Sequence, residues 1–309
     1  MKYRDKLRFS MAGHILRDSF KPVDYKEGER SNLVLSEFHH IVDAAFFIYF
    51  SMIFYFSGTG NSKWIANQLS KEQKEELVFI PDALKNEALE FSLQAGEKIG
   101  FVFPIYSWAP PEIVLNFIRQ LSLKGYKRQY LFFVCSCGDD TGLTQQVLAK
   151  ALKNKGWECH AGFSVTMPNN YVLLPGFDVD NKELEEKKLA DAVSTVSKIN
   201  ASISKREELF LCHEGSMPFI KTRIINPLFN RFQMSPKHFY ATDACIGCKR
   251  CEKSCPVENV TVVDGRPVWG MDCTSCLACY HVCPQHAVQY GKRTKDKGQY
   301  FNPNQSTRL

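Results

Sequence analysis

Twelve cysteines stand in this chain of 309 residues, and eight of them fall between Cys245 and Cys283. They form two runs, CIGCKRCEKSCP at 245–256 and CTSCLACYHVCP at 273–284. Each reads C-x2-C-x2-C-x3-C-P, so the segment is an internal repeat. Thiolates are soft metal ligands, and this density in a chain with no convincing export signal points to metal rather than to a disulfide framework. Zinc usually takes two C-x-x-C knuckles, whereas three close cysteines and a fourth before proline suit the corner of an iron–sulfur cubane. His281 and His286 lie among these thiols; with four cysteines per site they read as packing or surface residues. Cys135, Cys137, Cys159 and Cys212 are scattered and read as structural thiols.

A second candidate site is SGTGNS at 57–62, between the short apolar run 53–56 and an amphipathic helical pattern that begins near Ser62 or Lys63. Backbone N–H groups at a helix start, with the hydroxyls of Ser57, Thr59 and Ser62 and the Asn61 amide, make a nest suited to phosphate. Gly58 and Gly60 permit positive φ and close backbone approach. The loop lacks the GK[ST] ending of a nucleotide triphosphate loop, and Lys63 stands where a dinucleotide fingerprint needs its third glycine. A glycine-rich turn that binds nothing is the plain alternative.

These sites need elements to position them. Apolar strands are expected at 53–56, 77–80, 99–103, 130–134 and 160–165, with helical patterns at 111–123, 142–155 and 183–202. Alternating strands and helices predict an α/β domain with a five-stranded, doubly wound parallel sheet. Ligands of such sheets sit beyond the carboxyl ends of the strands. Four strand-end loops then share one rim: 57–62, PIYSWAPP at 104–111, CSCGDDTG at 135–142 and MPNNY at 167–171. The domain boundaries expected are 52–204, a linker or docking arm at 205–240, a small cysteine domain at 241–291 and a basic polar tail at 292–309. Apolar Phe219, Ile220, Ile224, Leu228, Phe229 and Phe232 would dock the arm, and Pro227 would kink or divide its helix. A flexible linker is the alternative. Ile246, Val257, Val260, Leu277, Val282 and Val288 would form the apolar shell around the metal.

The loop SGTGNS, with Ile53, Phe54, Tyr55, Ala66 and Leu69 around it, resembles the phosphate loop of flavodoxins; Ser62 replaces that pattern's Thr and keeps the hydroxyl. The cysteine repeat resembles that of bacterial ferredoxins. Together, over about residues 52–290, the chain resembles the EFR-type ferredoxin family, a flavodoxin-like domain fused to an α+β bacterial-type ferredoxin domain. That resemblance implies FMN on Ser57, Gly58, Thr59, Gly60, Asn61 and Ser62. Tyr106 and Trp108 would stack on the isoalloxazine, and Ser136, Cys137, Gly138 and Asp139 would bond its edge. Trp108 as a turn anchor and Asp139 and Asp140 as plain turn residues are the alternatives. Near a flavin, those two carboxylates would lower its potential. The implied clusters are two 4Fe–4S centres, one on Cys245, Cys248, Cys251 and Cys283, the other on Cys273, Cys276, Cys279 and Cys255.

Composition sets limits. At 44% hydrophobic and 23% charged, with net charge +6, the chain is an ordinary globular one and not a nucleic-acid binder. The run AAFFIYFSMIFYF at 44–56 is too short to span a bilayer comfortably, so no integral membrane segment is expected. Residues 1–51 read as an atypical extension, with Met52 as the expected start; a packed helix at 36–50 is the alternative. The function expected is cytoplasmic, anaerobic electron transfer between a redox partner protein, the two clusters and FMN. A flavin-dependent reductase of a small molecule held by Tyr106, Trp108, Asn169 and Tyr171 is the second reading. A plain ferredoxin with a non-flavin scaffold is the third. The residues do not decide between carrier and oxidoreductase component, and no NAD(P) fingerprint is visible.

Overall fold

The computed structural model describes residues 52–232 and 235–304. The expectations for residues 1–51 lie outside the described residues. The first domain is built on strands β1 (Met52–Tyr55), β2 (Glu76–Phe79), β3 (Lys98–Pro104), β4 (Tyr130–Cys137), β5 (Ala161–Thr166) and β6 (Phe210–Leu211). Every pairing is parallel, in the order β2-β1-β3-β4-β5-β6. The chain leaves β1 to one side for β2 and returns on the other side for β3. The switch point therefore falls between the loops at 57–62 and 104–111.

The sheet has six strands rather than the five expected. Its extra strand, β6, comes from the segment read as linker; two residues are too few to show alternation. Helices α1 (Asn61–Gln73) and α5 (Lys182–Lys205) cover one face, and α2 (Ile80–Lys85), α3 (Glu112–Gln120) and α4 (Thr144–Lys153) cover the other. Alternation along β4 explains both cores: Phe132 and Val134 face α1 and α5, while Leu131, Phe133 and Cys135 face α2 to α4. Strands buried on both sides read as continuous apolar runs, which is why 130–137 is legible as YLFFVCSC. Each such buried side chain contributes about 1.5–3 kcal/mol.

The second domain is small. Strand β7 (Phe239–Ala241) pairs antiparallel with β10 (Val288–Tyr290), and β8 (Val260–Val263) forms a hairpin with β9 (Arg266–Trp269). Two one-turn helices, α6 (Arg250–Ser254) and α7 (Ala278–His281), each begin after a residue at positive φ, Lys249 at 62° and Leu277 at 60°. Its apolar cluster includes Val172 and Leu173 of the first domain, so the two domains share a core.

The arm at 218–232 is divided as Pro227 predicts: a turn of α-helix, a π-helical stretch at Lys221–Ile225, then Asn226–Phe232. The proline ring displaces the carbonyl four residues earlier, which lies inside the π stretch. Its docking differs from expectation. Phe229 alone of the six apolar residues is buried, edge-on to Tyr171, whereas Phe219 and Phe232 are each 64% exposed. Polar groups dock it instead. Thr222 Oγ1 donates to Trp108 O at 2.8 Å and accepts from Leu143 N at 2.9 Å, and Asn226 Nδ2 donates to Tyr106 O at 3.1 Å and Ser107 O at 3.0 Å. The expected polar tail is also corrected over 294–302, where Thr294, Tyr300 and Asn302 are buried. Among the described residues no helix is long and apolar enough to cross a membrane.

Candidate functional site

The eight clustered cysteines separate into two sets. Cys245, Cys248, Cys251 and Cys283 line one cavity with about 340 Å³ of empty space, shared with Ile246, Lys249, Arg250, Pro267 and Val288. Cys255, Cys273, Cys276 and Cys279 line a second of about 300 Å³, walled by Phe239, Val260, Trp269, Thr274 and Leu277. All twelve cysteines are free thiols. Among the described residues no three His, Cys, Asp or Glu side chains converge closely enough to hold a single ion; each set surrounds a volume instead. Of the residues expected as an apolar shell, Val257, Val260 and Leu277 line the second cavity and Val288 and the 64% exposed Ile246 the first, whereas Val282 is buried but is not among the residues lining either.

The donor chemistry of the second cavity fits a cluster. Trp269 Nε1 and Thr274 Oγ1 are buried without a partner, Trp269 facing Cys279 and Thr274 facing Cys276. A buried orphan donor costs about 1–3 kcal/mol, and sulfur acceptors in the cavity would satisfy both. Backbone donors reach sulfurs of both sets as well: Asn259 N to Cys255 Sγ at 3.1 Å, Ser275 N to Cys273 Sγ at 3.3 Å and Ala287 N to Cys283 Sγ at 3.2 Å. Burial, then the neighbouring cysteines, pushes the Cys276 thiol up to about 12, and burial raises Cys251 to about 11. Four thiolates held this close to one another require a cationic centre, so loading either site must release protons.

The loop at 57–62 also has the expected form. Gly60, at φ 96°, caps α1, whose first turn carries no acidic residue. The two glycines divide the work. Gly60 supplies the left-handed backbone, whereas Gly58 supplies room: a Cβ there would meet Cys276 Cβ at 2.6 Å and Tyr106 OH at 3.3 Å. The nest carries polar groups, and Lys63 stands on the wall of the small cavity beside it. Ser62 Oγ lies 2.7 Å from Ser136 Oγ, Asn170 Nδ2 donates to Thr59 Oγ1 at 2.5 Å, and Asn61 Nδ2 donates to Pro168 O at 3.2 Å. Among the described residues no carboxylate stands in the first turn of α1, which suits a phosphate monoester.

Around this loop the rim residues converge, most of them with protein partners. Tyr106 packs edge-on to Phe56, and burial, then Cys276 and Cys273, raises its phenol well above the ordinary value. Trp108 sits at φ 62° with the Lys221 ammonium 5.3 Å from its ring centroid. Lys221 also pairs with Asp140 at 2.5 Å, so Asp140 is not a bare carboxylate as expected, and Asp139 is exposed. Cys137 is buried, and burial, then Asp140 and Asp139, pushes its thiol up to about 12. Gly138 is close-packed: a Cβ would fall 1.7 Å from Asn169 Oδ1. Asn169 is fixed in turn by Asp180, donating from N at 3.0 Å and Nδ2 at 2.8 Å. Burial acts to raise the Asp180 carboxyl, but Lys188 and the Asn169 donors outweigh it and hold it below the usual range. Ser107 Oγ, Asp140 Oδ1 and Tyr171 OH are buried without partners, donor and acceptor capacity that a polar ring edge would use.

The flavodoxin domain model matches residues 52–169, and the 4Fe–4S dicluster domain model matches residues 244–288. The chain fuses a flavodoxin domain to a 4Fe–4S dicluster domain. Over 46 residues the chain is 44% identical to one subunit of the ion-translocating oxidoreductase complex of Methanosarcina acetivorans. That match spans 15% of this chain and 17% of the relative. Two solved structures are similar to about half of this chain. Rubredoxin oxygen:oxidoreductase from Desulfovibrio gigas has 17% identity and a TM-score of 0.30, over 50% of this chain and 37% of that one. The FMN-dependent NADH-azoreductase from Bacillus anthracis in complex with FMN has 9% identity and a TM-score of 0.29, over 48% and 99%. At these TM-scores the likeness bears on no detail of the site.

Several residues at the site were not singled out from sequence. Lys221, Thr222 and Asn226 come from the arm, and Ser254, Pro256 and Phe301 share a small cavity with Ser57, Gly58, Gly60 and Lys63. Only the proximity of Ser254 and Pro256 to Cys255 signals a role in sequence.

Proposed function

We propose that this protein belongs with the EFR-type ferredoxins and carries electrons between a redox partner protein and FMN. Cys245, Cys248, Cys251 and Cys283 hold one 4Fe–4S cluster and Cys273, Cys276, Cys279 and Cys255 the other, with FMN on the loop at 57–62. When bound, the clusters supply one-electron chemistry and FMN supplies exchange between one- and two-electron carriers. The observation that carries this reading is the contact of Cys276 with Gly58, which sets a ligand of the second set against the phosphate loop. Cys248, of the first set, is exposed. The sites thus lie in the order solvent, first set, second set, flavin loop.

The chain's own residues serve that order. Tyr106 and Cys276 close the gap over Gly58, and the apolar wall of Phe239, Leu277 and Val260 excludes water from the second cavity. The small-molecule reductase gains no support from the geometry. Asn169 is committed to Asp180, Tyr106 lies under Cys276, and the backbone of the Trp108 loop is covered by the arm. The test is anaerobic purification with iron, acid-labile sulfide and flavin measured per chain. About eight irons and one FMN are expected from the paired ligand sets and the single nest. The same iron with no FMN after reconstitution reduces the protein to a ferredoxin with a scaffold domain.

A further inference from the structure

Segment 294–302, beyond the last cysteine, is built into both sites. One end is anchored on the ligand-bearing helix: Gln299 Nε2 donates to Tyr280 O at 2.6 Å and Cys283 O at 2.9 Å, and the Tyr280 hydroxyl lies 2.9 Å from Lys297 O. The other end reaches the phosphate loop, where Tyr300 OH donates to Asn61 Oδ1 at 2.6 Å and Asn302 Nδ2 donates to the same oxygen at 3.0 Å. Asn302 N donates to Thr59 O at 2.9 Å. Between the ends stands His281, two residues from Cys279 and from Cys283. Its Nδ1 accepts from Tyr300 N at 3.1 Å, so Nε2 carries the proton and donates to Asn170 O at 2.7 Å. Asn170 in turn holds Thr59 Oγ1.

These bonds act on the atoms a phosphate would meet. Asn61 Oδ1 accepts twice from the strap while its Nδ2 is bound to Pro168 O, so the amide at the first residue of α1 has one orientation. The bond from Asn302 N matters more. It holds the Thr59 carbonyl toward the strap, and in a trans peptide the N–H of the same unit, that of Gly60, points the opposite way. The strap therefore sets the direction of an amide in the nest. We infer that Tyr300 and Asn302 are positioning residues for the phosphate group of the flavin, and that His281 ties this clamp to the second cysteine set. The inference rests on the flavin reading above.

The measurement is a titration of cluster-loaded protein with FMN and, separately, with riboflavin, which lacks the phosphate. Two variants are compared with wild type: Tyr300→Phe, which keeps the ring and removes the donor, and Asn302→Pro, which removes the backbone N–H. Tyr300→Phe should weaken FMN by about three- to tenfold, the worth of one hydrogen bond. Asn302→Pro, which loses the side-chain bond to Asn61 as well as the backbone one, should weaken it further, and both should leave riboflavin unchanged. In an Asn61→Ala background the Tyr300→Phe effect should disappear. Unchanged FMN affinity in both variants overturns the inference, as does an equal loss for FMN and riboflavin, which would mark general loosening. A wild-type protein that takes up eight irons and binds no FMN overturns the flavin reading, and the clamp with it. Tight wild-type binding that the variants do not alter overturns the clamp alone.

Discussion

The two cysteine runs have the same spacing and nearly the same backbone. Gly247 and Ser275 sit at φ 65° and 55°, and Lys249 and Leu277 at 62° and 60°. Their other residues differ. In the first run Ile246, Lys249, Arg250 and Lys253 are exposed; in the second Leu277, Ala278, Tyr280 and His281 are buried. The first cavity has two cations on its wall and the second has no charged residue. Spacing selects the ligands, and the residues between them select which way each set faces. Repetition alone would make the sites equivalent; the spacer residues turn one toward solvent and one toward the loop at 57–62.

The largest expected effect tests that difference directly. Cys276→Ser and Cys248→Ser should each lower iron from about eight to about four per chain. Only Cys276→Ser should also weaken FMN, by about tenfold or more, since Cys276 packs on Gly58. Equal flavin affinity in the two variants would break the comparison. Next come glycines at the matched positive-φ positions. Lys249→Gly relieves left-handed strain on an exposed residue and should stabilise by about 0.5–1 kcal/mol. Leu277→Gly relieves the same strain but removes a side chain only 3% exposed, for a net loss of about 2 kcal/mol. Anaerobic thermal midpoints should therefore move in opposite directions. A smaller effect belongs to Trp269→Phe, which deletes an indole donor that has no counterpart among the residues lining the first cavity. Hydrogen bonds to sulfur favour the reduced, more negative cluster, so one of two potentials should fall by on the order of 50 mV in a spectroscopic redox titration. Two unchanged potentials would mean that Trp269 only packs.

What sequence revealed follows from how local each signal is. The cysteine sets are written in one repeat, and SGTGNS is bounded by a strand and a helix, so both were legible. Strands β1, β3 and β4 showed as apolar runs because both their faces are buried, and the half-buried edge strand β2 because it is short and apolar after Glu76. Strand β6 did not, because Phe210 and Leu211 pair only briefly with Gly162 and Phe163 and are themselves exposed. The strap was hidden for a different reason. Tyr300 reaches Asn61 across 239 residues, and no periodicity in KRTKDKGQYFN encodes that partner. The arm misled because its apolar residues suggested burial, while its actual attachments are Lys221, Thr222 and Asn226. Likewise Ile246 looked like buried shell; it touches the first cavity but, on the side of the set that faces solvent, is 64% exposed.

The finest distinction between the runs is electrostatic. Lys249 and Arg250 line the first cavity, and Glu252, the acidic residue of that run, is turned inward to accept from Val262 N. An anionic reductant should therefore approach the first set faster than a neutral surface would allow. In Lys249→Glu/Arg250→Glu, reduction by dithionite followed in a stopped-flow instrument should slow by about threefold at about 10 mM ionic strength, where the screening length is about 30 Å. At about 1 M, where that length is about 3 Å, the difference should vanish. A cationic reductant such as reduced methyl viologen should show the reverse sign. The same reversal at exposed Lys71, on α1 of the flavodoxin domain, should change neither rate. If all variants respond alike to both reductants, electrons do not enter beside Lys249 and Arg250, and the contrast between an open set and a buried set describes packing without describing the route.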